Sequence, residues 1–157
     1  MTPKAEPLAY SIRRLAPGDD IRYGEMLDLF AEAFDDPESY SSARPSPDYR
    51  HVVLAKQDFF ALVALAGGRV VGALVAYELP KFEQDRSEFY IYDLAVAEEW
   101  RRQGVATAII GDLGEIAKAS GDSVMYVQAD YGDDPAIALY TKLGTREDVM
   151  HFDISID

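Results

Sequence analysis

The run from Phe89 to Ala106 constrains this chain more than any other. Phe89-Tyr90-Ile91-Tyr92-Asp93-Leu94-Ala95-Val96 is an apolar, β-rich strand pattern. A charged loop follows, Ala97-Glu98-Glu99-Trp100, and then Arg101-Arg102-Gln103-Gly104-Val105-Ala106 opens an apolar-periodic helix. A strand that reaches a helix start through two cations and a small residue is the outline of an anion site. The first N–H groups of a helix lack intrahelical partners, and its dipole favours negative charge there. Gly104 has no Cβ to hold a ligand off the backbone. A diphosphate fits that description.

Spacing removes two rival phosphate loops. No G-x-x-x-x-G-K-S/T run occurs, and Gly104 lacks the partners of a G-x-G-x-x-G fingerprint. What remains is Arg/Gln-x-x-Gly-x-Gly/Ala after a strand. Six residues alone are equally compatible with an ordinary strand–loop–helix whose two arginines are solvated.

The rest of the chain alternates helical and strand periods. Residues 1–8 read as a loose tail. Tyr10 to Leu15 alternates as a strand, and Pro17-Gly18-Asp19-Asp20 is a turn. Met26, Leu29, Phe30, Ala33 and Phe34 share one face of a helix over 23–34, ended by Asp35-Asp36-Pro37. The stretch 37–48 is expected to be loop, and 47–56 a short helix. Phe59–Ala66 and Val70–Leu79 flank Gly67-Gly68, a hairpin signal. Pro80 to Glu88 is a charged connector. After the strand 89–96, a helix gathers Val105, Ala106, Ile109, Ile110, Leu113, Ile116 and Ala117, and Gly121-Asp122 closes it. A strand over 124–129 follows. Asp134 is expected as an N-cap with Pro135 at the first helical position, and Gly144 as the stop. Residues 146–156 read as one or two closing strands. The order β-α-α-β-β-β-α-β-α-β describes one mixed α/β domain over residues 1–157.

Charge and composition narrow the partners. Lys+Arg is 15 against 28 for Asp+Glu, a net charge of −13. Such a surface repels nucleic acid and anionic membrane and attracts cations. The chain has no cysteine, which excludes a thiol nucleophile and a Cys-based zinc site. His51 and His151 stand far apart, without metal-ligand spacing. No apolar stretch approaches the roughly 20 residues of a membrane span, and the N-terminus shows no signal-peptide core. A soluble, cytoplasmic protein is expected.

The glycine loop resembles the coenzyme A pyrophosphate loop of the GNAT N-acetyltransferases. A second signature agrees in order and position: Asp133-Asp134-Pro135-Ala136-Ile137-Ala138-Leu139-Tyr140-Thr141-Lys142-Leu143-Gly144 is similar to the family's N-x-x-A-x-x-L-Y-x-K-L-G helix, with Asp133 where Asn is usual. Finer segments resemble the aminoglycoside 3-N-acetyltransferases of the gentamicin-resistance type. They are Phe82 to Glu88, Ile91 to Val96, Tyr126 to Ala136, and Lys142 through Asp153. The resemblance covers roughly residues 10 to 154. It implies an α/β (α+β) GNAT fold whose mixed, mostly antiparallel sheet splays between the fourth and fifth strands, flanked by about four helices.

Roles follow from the resemblance, residue by residue. Leu94, Ala95 and Val96 would face the pantetheine of acetyl-CoA in the splay, with main-chain groups of Leu94 and Val96 offered to its amides. Arg101, Arg102, Gln103, Gly104, Val105, Ala106 and Thr107 would hold the diphosphate, with Asp133 beside the pantetheine. Acyl transfer from a thioester to an amine needs a neutral amine, an oxyanion donor and an acid for the leaving thiolate. No covalent nucleophile is evident, which favours direct attack. Tyr140 is the acid candidate, against the alternative of a helix tyrosine packed with Ala136, Leu139 and Leu143. The Leu94 N–H is the oxyanion donor candidate.

Asp93 is the odd residue of its strand. A carboxylate in an apolar run is paired, protonated or working. Ideal alternation puts it with Phe89 and Ile91, and a bulge would re-aim it. It is read as general base or as anchor of a substrate ammonium, against a buried carboxylate bonded to backbone. Glu88, Tyr92, Asp93, Asp130, Tyr131 and Asp153 are the candidates for a cationic substrate, with Asp130 first for its amine. The expected partner is an aminoglycoside, with polyamine or peptide amines as the alternative and a non-catalytic acyl-CoA-binding module as the other class. No metal is expected, and a homodimer is compatible with the family.

Overall fold

In a computed structural model, the structure describes residues 9–121 and 124–157. The tail expected over 1–8, and Asp122, lie outside the described residues. The elements are β1 (Ser11–Arg14), α1 (Asp20–Ala33), α2 (Pro37–Ser41), α3 (Pro47–Ala55), β2 (Phe59–Ala66), β3 (Arg69–Pro80), β4 (Ser87–Val96), a 3-10 turn (Glu98–Trp100), α4 (Val105–Ala119), β5 (Val124–Val127) and α5 (Asp134–Leu143). The chain divides into two compact units, one up to Tyr126 and one over Val127–Asp157.

The sheet order is β1-β2-β3-β4-β5. The first four strands pair antiparallel, and β5 lies parallel to β4, giving the mixed, open sheet that the resemblance implies. Gly67 and Gly68, at φ 56° and 76°, make the two-residue turn between β2 and β3. A turn with positive φ at both positions matches the twist of its strands.

Each sheet face has its own cover. On one, Met26, Leu29 and Phe30 of α1 and Leu54 of α3 pack over Phe59, Ala61, Val63, Ala73, Val75 and Ala95. On the other lies α4, which buries Val105, Ile109, Leu113 and Ala117 at four-residue spacing. A Cβ at Gly72 would sit 3.0 Å from Val105 and 3.1 Å from Ile109, so α4 rides directly on the β3 backbone.

The β3–β4 ladder is irregular at one point. Val75 pairs with Asp93, but Ala76 pairs with Ile91, so Tyr92 is an extra residue on β4. A bulge of this kind reverses the parity of everything beyond it. Phe89 and Ile91 are buried, and Ile91 follows the Gly72 face toward α4. Asp93 and Ala95 instead follow Val75 and Ala73 to the α1 face.

Four expectations change. The stretch 37–48 contains α2: Asp36 accepts a hydrogen bond from the Ser39 N–H at 3.1 Å, and Pro37 opens the helix. Asp133, not Asp134, caps α5, accepting from the Ala136 N–H at 3.4 Å. Either aspartate can start a helix by sequence, and the turn at Gly132 (φ 91°) selects the first. β5 ends at Val127 rather than at 129. Residues 145–157 form no strand and are exposed. Alternation marks a segment able to pair, but a strand exists only where an edge meets it.

Candidate active site

Asp93 is a half-buried carboxylate of the first unit. The bulge delivers its carboxylate to the α1 face, where the Tyr40 hydroxyl donates to Oδ2 at 2.8 Å. Tyr40 is held in turn by Phe30 and Phe34, with ring centroids 5.7 and 5.8 Å away. Arg44, just beyond α2, pairs with Asp28 of α1 and ties the short helix down. Burial pushes the Asp93 carboxyl above its ordinary range, and the Tyr40 hydrogen bond offsets part of that rise. Burial, and then the bond to Asp93, hold the Tyr40 phenol well above the usual value. Tyr40 therefore stays protonated and acts as a donor. A half-buried carboxylate with a raised pKa holds a proton more readily than an exposed one, the direction that a general base needs.

Tyr92 projects from the bulge and is 60% exposed. Its ring lies 5.9 Å from those of Tyr77 and Tyr90. Glu88 is less available: Lys81 reaches it at 3.2 Å while also pairing with Glu83 at 3.0 Å.

The glycine loop has the geometry of an anion cradle. Arg102 (φ 60°) and Gly104 (φ 79°) are both left-handed. Left-handed backbone at two of three successive residues is the kind of turn from which anion nests are built. Gly104 is the N-cap of α4 and has no side chain with which to cap it. Val105, Ala106 and Thr107 carry first-turn N–H groups, and the ladder starts with Ala108 N–H donating to the Gly104 carbonyl at 2.9 Å. A Cβ at Gly104 would meet no heavy atom within 4 Å, so the space beside this backbone is open. The Arg101 Nε donates to the Val96 carbonyl at 3.1 Å, and the Gln103 amide to the Glu99 carbonyl at 3.1 Å. Both side chains brace the loop from within. A diphosphate fits this donor set.

The outer edge of β4 leads into that loop. The Ala97 N–H donates toward β3, to the Val71 carbonyl at 2.8 Å. Strand alternation then turns the Ala95 main chain toward β3 as well, and the N–H and C=O of Leu94 and Val96 toward the opposite edge. Ala95 itself is buried in the core. The Tyr90 and Tyr126 rings stack at 4.8 Å and 12°, which aligns the first half of β4 with β5. β5 ends one residue past Tyr126, at Val127, so the Leu94–Val96 end of β4 runs beyond it.

In the second unit, Tyr140 lies on α5 two turns from Asp133. Burial, then the Asp133 charge, raises the Tyr140 phenol to about 12. Tyr131 is 82% exposed, with the Arg146 guanidinium 5.9 Å from its ring centroid. The Asp130 carbonyl accepts from the Asp133 N–H at 3.2 Å, which shapes the turn before α5. Asp153 pairs with His151 at 2.9 Å on the exposed tail. Among the described residues, no group of three or more His, Cys, Asp or Glu is arranged to hold a metal ion.

Sequence reasoning misses Tyr40, because the Pro and Ser content of 37–48 favours a loop. A signal is present all the same: Asp36-Pro37 repeats the Asp-Pro pair that starts α5. Sequence reasoning also passes over Tyr77, Tyr90 and Tyr126, which only strand pairing brings together.

The family model described as Acetyltransferase (GNAT) family matches residues 24–145. The chain is 49% identical to an aminoglycoside acetyltransferase from an uncultured soil metagenomic sample, over 95% of this chain and 99% of that one, with a TM-score of 0.92. A second solved aminoglycoside acetyltransferase from such a sample, in complex with sisomicin, is 29% identical over 94% of this chain and 97% of that chain, with a TM-score of 0.86. The probable N-acetyltransferase family 8 member 5 of Mus musculus is 28% identical over 94 residues, which are 60% of this chain and 41% of that protein. The chain thus spans about half the length of the curated relatives it matches.

Proposed function

The chain belongs to the GNAT family of acetyltransferases, and from that premise we propose that it transfers the acetyl group of acetyl-CoA to the 3-amino group of an aminoglycoside. The observation that carries this reading is the Asp93 carboxylate, turned by the Tyr92 bulge onto a tyrosine-lined face. A carboxylate beside aromatic rings is a receptor for ammonium groups. The aminoglycoside class is supported by the relatives with that activity. The 3-position is supported by the resemblance of the segment 126–136. Both compact units are taken as one catalytic domain over residues 1–157.

Acetyl-CoA supplies the activated acetyl group when bound. The remaining tasks fall to the chain. The amides of Gly104 to Thr107 and the Arg102 charge hold the diphosphate, and the outward main chain of Leu94 and Val96 pairs with the pantetheine. Asp93 draws the substrate ammonium and takes its proton, leaving a neutral amine able to attack. The Leu94 N–H donates to the oxygen that gains charge. Tyr140, with a pKa of about 12, donates a hydrogen bond to the departing sulfur rather than surrendering its proton early. Asp130 and Tyr131 meet the substrate's other groups. Acetylation turns an ammonium into a neutral amide, which removes a charge from the drug and underlies the resistance included in this proposal.

The test is release of free thiol from acetyl-CoA with gentamicin, spermidine or a peptide, followed by mass analysis and NMR of the product. Release with gentamicin and a single acetyl on the 3-amino group supports the proposal. Release only with spermidine or the peptide overturns the substrate class. Release with none leaves a binding module.

A further inference from the structure

Four tyrosines lie in a row on the face that carries Asp93, and the transfer reading gives a task to only one of them, Tyr92. Tyr77 on β3 and Tyr90 on β4 are register partners, so their side chains leave the same face. Tyr92 joins both from the bulge. Tyr126 on β5 extends the row, stacked on Tyr90. At the other end Tyr77 meets Phe59 edge to face at 5.4 Å.

Cross-strand aromatic pairs stabilise any sheet, which accounts for the ring contacts. It does not account for the exposure. Beside this row the face is sealed by Leu29 and Phe30 over Val63, Val75 and Ala95. Yet Tyr77 stays 39% exposed and Tyr126 37%, alongside the still more open Tyr92. A contiguous aromatic strip left open beside a carboxylate marks a binding surface.

Charge selects the occupant. The Asp93 carboxylate is near enough to raise the Tyr77 and Tyr90 phenols, after burial and neighbouring tyrosines, and Glu88 acts the same way on Tyr126. Aromatic faces are themselves negative. An anion finds no match here, and an uncharged apolar chain leaves the carboxylate's charge uncompensated, since Tyr40 answers it only with a neutral hydroxyl. A ring whose C–H face stacks on tyrosine while its ammonium groups sit over ring faces and carboxylate answers both. That is an amino sugar.

We propose that Tyr77, Tyr92, Tyr90 and Tyr126 form a stacking platform for a second ring of a polycationic amino sugar whose reacting amine lies at Asp93. The platform selects ring-built amines over linear polyamines. Rigid rings lie on it without losing rotamer freedom, whereas a flexible chain loses that freedom on ordering. The proposal rests on the transfer reading only for which amine reacts; the binding itself does not.

The experiment is titration calorimetry of gentamicin and of spermidine with the wild type, Tyr92→Leu, Tyr77→Leu and Tyr126→Leu. Tyr10→Leu, at the separate Tyr10–Trp100 contact, is the control, and thermal melts establish that each variant folds. Loss of one ring is expected to raise the gentamicin Kd about tenfold and the spermidine Kd by less than about twofold. The control leaves both unchanged. Equal weakening of both ligands, an unchanged gentamicin Kd in every variant, or no gentamicin binding by the wild type overturns the platform. Tyrosine-dependent binding without thiol release from acetyl-CoA leaves the platform standing and removes the transfer reading. Thiol release at unchanged gentamicin KM in all three variants does the reverse.

Discussion

The Tyr40 hydroxyl donates to Asp93 across 53 residues of sequence. The contact joins a one-turn helix to a bulged strand, and neither partner reaches the other without both irregularities. It also biases the carboxylate's protonation. Burial alone favours the protonated acid, and the phenol's hydrogen bond favours the anion.

Tyr40→Phe removes the only one of these influences that lowers the Asp93 pKa. The carboxyl then titrates at higher pH than in the wild type. The basic form is lost earlier as pH falls, so the acidic limb of the kcat/KM profile moves upward. Losing a hydrogen bond to a charged group worth roughly 1.5 kcal/mol moves that limb up by about one pH unit, and kcat/KM falls about tenfold at pH values on the acidic side of the limb. A pH–rate profile that superimposes on the wild type's would reduce Tyr40 to a packing residue.

Asp93→Asn keeps the shape and removes the proposed base. Turnover is expected to fall by about 10²–10⁴, with the KM for acetyl-CoA within roughly twofold. Steady-state kinetics in both substrates decide it. Retained turnover would transfer the proton to another group or to water.

Tyr140→Phe is expected to lower kcat about 10²-fold with little effect on acetyl-CoA affinity. With a wild-type pKa of about 12, the phenol stays protonated through the usable pH range, so it imposes no alkaline limb below about pH 10. An unchanged kcat would return Tyr140 to the packing of α5.

Gly104→Ala tests the anion loop. At φ 79° the added Cβ meets no neighbour, so the cost in the free protein is backbone strain alone. That strain is about 1 kcal/mol, or a fall of roughly 2–4 °C in Tm for a chain of this size. The larger effect is expected on acetyl-CoA, whose KM rises several-fold if the methyl stands where a phosphate is proposed to approach. An equal rise in the gentamicin KM would contradict a role confined to the diphosphate.

Some of this architecture is legible in the residues themselves. The hairpin turn at Gly67-Gly68, the four-residue spacing from Val105 to Ala117 and the glycine opening of α4 depend on neighbours in the chain. Local chemistry encodes them completely. The oddness of Asp93 is legible too, since a carboxylate in a β-rich run must be answered somewhere. The closing strands expected over 146–156 fail for the complementary reason. Met150, Phe152, Ile154 and Ile156 alternate as a strand does, but alternation cannot supply the edge that makes a strand.

Sequence alone therefore determined the family, the order of most elements, the glycine loop that opens α4 and the oddness of Asp93 in its strand. Tertiary structure decided which way that carboxylate points, what holds it, and which rings surround it. The reason is register. One extra residue at Tyr92 reverses the face of everything after it, and whether a strand carries that extra residue is settled by its pairing with β3. The Tyr40 bond and the tyrosine row both follow from that single displacement.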